Sequence, residues 1–200
     1  MVVVVALYGW LVEMDREDAL EAIDMATARL LRSVERFSDL DVELPSSLPG
    51  WTRGHVLAHV SQSADAMRNL LVSAQTGKVI AAYASEQARD AAIEEAARSG
   101  AVALFAELSA SAERFRAEAA GLSDHAWQWQ VRVLGGAEFP AVQLLERRLV
   151  EVVLHHTDLD AGYGPQHWET KFVELYLPEP MRSQRESRRR AITQRPTRAT

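Results

Sequence analysis

Leu20, Ile23, Thr27, Leu30, Val34 and Phe37 recur at alternating steps of three and four residues. That spacing lines one face of an α-helix and predicts an amphipathic helix over Arg16–Phe37, with Thr27 as the one polar member of its stripe. Prolines 45 and 49 and the serines between them interrupt the pattern across 38–50. Thr52 is a fitting N-cap for a second helix that carries Val56, His59, Val60, Met67 and Leu70 and stops at Gly77. A third helical stretch runs from about Ser85 to Ala120. Its apolar face is Ile93, Ala97, Leu104, Leu108 and Phe115, and Gly100 is a weak point midway. Between His125 and Phe139 the chain reads as a loop or a short strand, containing Gly135-Gly136. Pro140 then suits the first turn of a fourth helix, whose stripe is Val142, Leu145, Leu149 and Val153 and which ends near Gly162. Four long amphipathic segments without a strand-rich region predict an all-α fold, a four-helix bundle.

Charge divides the chain. Its net charge is −6, yet residues 181–200 hold seven arginines against one glutamate, so the rest is strongly acidic. An acidic body argues against nucleic acid as a partner, because neutralising phosphates needs a basic surface. The arginine-rich end has too few apolar residues to form a core and is expected to be disordered. Residues 1–14 are apolar but too short to span a bilayer and lack a signal-peptide pattern, so no membrane association and a cytoplasmic location are expected. The absence of cysteine excludes disulfides, thiolate metal sites and a cysteine nucleophile belonging to the chain. Thiol chemistry here requires a thiol from outside.

Four helices bring ionisable side chains together inside a bundle. Glu151 and His155 are four residues apart on the fourth helix, hence on one face, and a carboxylate with an imidazole at that spacing can chelate a divalent metal. His59, between Val56 and Val60, supplies a third ligand from the second helix. Three ligands with one open position form the catalytic type of zinc site. His55 is the second choice for the helix-two ligand. His156 is a weaker one, since a neighbour one position along points about 100° away. The competing reading of the same residues is a surface Glu–His ion pair and a hydrogen-bonded core histidine.

The run Leu48-Pro49-Gly50-Trp51-Thr52-Arg53-Gly54-His55-Val56-Leu57-Ala58-His59-Val60 resembles the first signature of the mycothiol-dependent maleylpyruvate isomerase family, within the wider DinB/YfiT-like metalloenzymes. Arg148-Leu149-Val150-Glu151-Val152-Val153-Leu154-His155-His156-Thr157-Asp158-Leu159 is similar to that family's Glu-x-x-x-His helix with its following aspartate. Tyr83-Ala84-Ser85, Arg89-Asp90 and Ile93-Glu94 form a softer match between the two. The resemblance implies a DinB-like bundle over 15–177 and a metal held by His59, Glu151 and His155. The metal would be zinc or another divalent ion, with mycothiol as thiol cosubstrate. It also implies an activity, the cis-trans isomerisation of maleylpyruvate to fumarylpyruvate through a zinc-bound thiolate.

Other members usually continue into a small C-terminal α/β domain. Here the arginine-rich tail 178–200 stands in its place, as expected of a truncated or frame-shifted end, and 1–14 reads as an N-terminal extension. Among supporting residues, Arg148 is the candidate catalytic group, holding a substrate carboxylate or pairing with Glu151. Asp158 either orients an imidazole or ends the helix. Arg89 binds substrate or forms a surface ion pair, and Trp51 and Trp127 pack. The leading expectation is a metal-dependent, mycothiol-using isomerase acting on a small molecule, as monomer or homodimer. The alternatives are a mycothiol S-transferase for another electrophile, a metal-binding bundle without turnover, and a structural protein.

Overall fold

The computed structural model describes residues 15–176. The expected N-terminal extension and arginine-rich tail lie outside the described residues. In chain order the elements are α1 (Arg16–Val34), α2 (Asp39–Glu43), α3 (Arg53–Thr76), α4 (Glu86–Ala96), α5 (Ala101–Ala120) and α6 (Asp124–Trp127). A hairpin of β1 (Gln130–Arg132) and β2 (Glu138–Pro140) follows, then α7 (Gln143–Asp158), a 3-10 turn at Pro165–His167 and α8 (Thr170–Tyr176).

The four long helices α1, α3, α5 and α7 form the bundle, with α3 packed on α5 and α7 and α1 packed on α7 and α5. The apolar stripes read from the sequence are the faces turned inward: Leu20, Ile23, Leu30 and Val34 from α1, Leu104, Leu108 and Phe115 from α5, and Leu145, Leu149 and Val153 from α7 are all buried. The core falls into two clusters. One joins the start of α1 and α7 to the far ends of α3 and α5, through Leu20, Ile23, Leu70, Phe115, Leu144 and Leu145. The other joins the opposite ends, through Leu30, Val34, Val56, Leu57, Leu104, Leu108 and Val152. Helices α1 and α7 therefore run one way, and α3 and α5 the other. Between the clusters each bundle helix carries a buried polar residue: Thr27, Ser63, Ser111 and Arg148. The polar interruption in the first stripe is one member of this waist.

Three of the departures from the sequence expectation have a clear local reason. The stretch from Ser85 to Ala120 is two helices, α4 and α5, because the Asp39 carboxylate accepts the Ala101 amide at 2.7 Å and so caps a new helix after Gly100. Pro140 is not a first-turn residue but the last residue of β2, paired with Gln130, and α7 begins three residues later. The interruption at 38–50 contains α2, started by a capping box between Ser38 and Asp41.

Two glycines in and after α3 have defined reasons. A Cβ at Gly54 would lie 2.9 Å from Ala97 O and 3.2 Å from Val42 O, so only glycine lets α3 start this close to α2 and α4. Gly77, at φ 65°, takes the left-handed conformation that ends the helix. No helix among the described residues is long and apolar enough to cross a membrane.

Candidate metal centre

His59 projects from the second turn of α3, while Glu151 and His155 project from successive turns of α7, which packs against α3. Across that seam His59 Nε2 lies 3.2 Å, and His155 Nε2 3.4 Å, from the same oxygen, Glu151 Oε2. The imidazoles meet edge to face, with ring centroids 4.6 Å apart. One potential ligand atom from each residue lies within 4.8 Å of the others, and this is the one such His/Asp/Glu group among the described residues. All three side chains are partly buried, at 20, 31 and 19% exposure. A centre this sheltered, yet not sealed, can hold an ion and leave one position for a ligand.

The surroundings fix the donor atoms. His155 Nδ1 lies 2.9 Å from Asp158 Oδ2, which leaves Nε2 to face Glu151. Asp158 is itself held: Ser47 donates its hydroxyl to Oδ1 at 3.1 Å and its amide to the Asp158 carbonyl at 2.8 Å. Arg53 donates to the carbonyls of Leu159 and Asp160, both at 2.8 Å. The loop leading into α3 thus clasps the end of α7 and ties together the two helices that carry the centre. Ser63 donates to Glu151 Oε2 at 3.4 Å. The Trp51 ring stands edge-on to His59, centroids 5.5 Å apart. His59 Nδ1 is buried and has no hydrogen-bond partner among the described residues.

Electrostatics follow the contacts. Burial alone would raise the Glu151 carboxyl, but hydrogen bonds from His155 and His59 outweigh it and hold the group well below the usual carboxylate range. Burial alone would lower His155, but its bonds to Asp158 and Glu151 lift it to about 9. Two nitrogens and a carboxylate oxygen, one imidazole braced by a second carboxylate, make a donor set suited to a divalent ion such as zinc. The residues present fit the group.

The other sequence candidates fall elsewhere. His55 completes a capping box at the start of α3: Thr52 donates its amide to His55 Nδ1 at 3.2 Å, and His55 Nε2 lies 3.4 Å from Glu94. It stands apart from the triad. His156 points the other way, with Nε2 2.8 Å from Ser33 Oγ and its ring stacked on Tyr163 at 3.7 Å. Burial pushes it down to about 4, so it is a neutral core histidine. Arg89 holds Asp90 through Nε at 2.9 Å and Nη2 at 2.8 Å. Trp127 is buried in the core, and Trp51 packs against both His55 and His59. Arg148 is buried, 1% exposed, and donates from Nη1 to Val60 O at 2.9 Å. Its position on α7 put it near Glu151, but its depth was not readable from spacing. Ser47 and Ser63 carried no sequence signal, since a lone serine has no motif.

Replacing Asp158 by Ala frees the His155 ring and removes a carboxylate behind it. The expected result is a 10–100-fold loss of zinc affinity with the helical circular dichroism kept. Unchanged affinity means that Asp158 only ends the helix.

Known proteins similar to this chain fall in one family. Residues 23–160 match the family described as Mycothiol maleylpyruvate isomerase N-terminal domain. Among solved structures the chain is similar to the mycothiol-dependent maleylpyruvate isomerase, with 28% identity and a TM-score of 0.78 over 81% of this chain and 68% of that one. A histidine-to-alanine mutant of that enzyme matches at 27% identity with the same TM-score and coverage. Among curated proteins nothing matches. The bundle has the DinB-like fold of these isomerases, and the chain belongs to the mycothiol maleylpyruvate isomerase N-terminal domain family.

Proposed function

We propose that this protein is a metal-dependent, mycothiol-using enzyme that isomerises maleylpyruvate to fumarylpyruvate. The observation that carries the reading is the convergence of His59, Glu151 and His155 within 4.8 Å across the α3–α7 seam. These three residues would hold the metal. Bound there, a divalent ion such as zinc supplies Lewis acidity that lowers the pKa of a thiol. That chemistry suits a chain with no cysteine of its own.

The remaining roles belong to the chain. Asp158 accepts from His155 Nδ1 and keeps Nε2 turned inward. Ser47 and Arg53 hold the end of α7 in register with the loop before α3. Tyr83 is partly buried. Burial first, and the nearby Glu151 charge second, push its hydroxyl up to about 12, so it stays a neutral donor beside the centre. The cytoplasm, where mycothiol would be available, is the compartment this reading implies.

The test is an assay of the zinc-equilibrated full chain with mycothiol and maleylpyruvate. Formation of fumarylpyruvate that requires both zinc and mycothiol, with mycothiol not consumed, is the expected result. Stable thioether formation with a different electrophile, and no isomerisation, means a mycothiol S-transferase instead. Bound zinc and mycothiol with turnover of neither kind leaves a binding module.

A further inference from the structure

The guanidinium of Arg148 is the largest polar group in the fully buried core, and its charge is poorly matched. One hydrogen bond, from Nη1 to Val60 O, joins it to α3, and its carbon lies 6.0 Å from the centroid of the Phe115 ring on α5. Nε and Nη2 are buried with no hydrogen-bond partner among the described residues. A buried cation normally has a carboxylate clamped onto it. Here the ionisable groups acting on it are Glu151, Asp65 and Tyr83. Asp65 is gripped through both oxygens by Arg114, at 2.9 and 2.7 Å. Arg114 also holds Glu107, and this group lies at the surface, each member more than a third exposed, where solvent screens its net charge. Tyr83 is a neutral phenol. Arg89 is occupied by Asp90. Only Glu151, one turn along α7 from Arg148, remains, and it belongs to the candidate metal centre.

The charge count at the centre then depends on Arg148. Once a divalent cation is held, Glu151 and Asp158 together balance it. Arg148 leaves one unit of positive charge uncancelled in a low-dielectric interior, where such a charge is felt strongly. We propose that Arg148 is a positioning residue of an electrostatic kind, whose buried charge makes the metal centre select a monoanionic ligand, the class to which a thiolate belongs. This rests on the metal-centre reading above. Because the guanidinium is 1% exposed, it acts through its field rather than by contact with the ligand. It opposes the cation modestly and favours the anion that follows.

The test uses the full chain with cobalt as the metal and azide as the monoanion. Cobalt is titrated into metal-free wild type, Arg148→Gln and Arg148→Lys, and azide is then titrated into each cobalt-loaded protein and read from the visible cobalt spectrum. Arg148→Gln removes the charge and keeps a polar amide on the same stem. Arg148→Lys keeps the charge. The expected result is that Gln binds cobalt at least as tightly as wild type while its azide affinity falls on the order of tenfold, with Lys close to wild type. A merely structural arginine would weaken cobalt and azide together, or neither. Equal azide affinity in wild type and Gln, with cobalt binding intact, overturns the proposal and leaves the metal centre standing. Failure of wild type to bind cobalt overturns both. If Gln does not fold by circular dichroism, Arg148→Met is read in its place by the same criteria.

Discussion

Glu151→Ala should fold and yet retain no zinc after gel filtration. Glu151 is the hinge of the centre, since both imidazoles approach the same oxygen and no other carboxylate among the described residues lies within the triad. Removing it leaves two histidines from different helices, and the loss of affinity should exceed the 10–100-fold expected for a supporting residue such as Asp158. The metal-free variant gives an independent reading. His155 sits at about 9 because Asp158 and Glu151 both accept from it. With Glu151 gone, its NMR titration midpoint should move down toward the ordinary histidine value. Wild-type zinc affinity in Glu151→Ala, or an unmoved His155, would mean that the observed contacts do not define the centre.

The second large effect is on stability. Phe115 is 1% exposed, sits in the larger core cluster and lies beneath the Arg148 guanidinium. Phe115→Ala should cost about 3–5 kcal/mol, from lost burial and from the cavity left behind. The cost belongs at the upper end, because the cavity would open beside a buried charge that cannot collapse into apolar space. Urea unfolding followed by circular dichroism measures it. A loss below about 1 kcal/mol would mean that the ring is not a core contact of the bundle.

The long helices were legible because burial imposes a period. Leu20, Ile23, Leu30 and Val34, or Leu145, Leu149 and Val153, are written into the sequence by the one face each helix buries. What was not legible depends on partners distant in the chain. The break before α5 needs Asp39, more than sixty residues away, to cap Ala101, and Gly100 alone shows only that a break is easy. Pro140 satisfies a helix start as well as a strand end, and its pairing with Gln130 decides between them.

The site divides the same way. Glu151 and His155 share a helix face, so their proximity follows from spacing. His59 joins them only because α3 packs on α7. His55, equally spaced from His59, is drawn off by Thr52 and Glu94, and nothing in the spacing distinguishes the two. Arg148 shares a face with Glu151 but lies deeper, where Val60 O rather than Glu151 takes its hydrogen bond. Helical periodicity gives direction and not depth.

The central claim is that His59, Glu151 and His155 bind a metal. The direct measurement is zinc content per chain, by elemental analysis of the purified full chain equilibrated with zinc and then freed of excess, beside His59→Ala. The account predicts about one zinc per chain in wild type, as a three-ligand site requires, and essentially none in His59→Ala. No zinc in wild type, or the same content in both proteins, would contradict it.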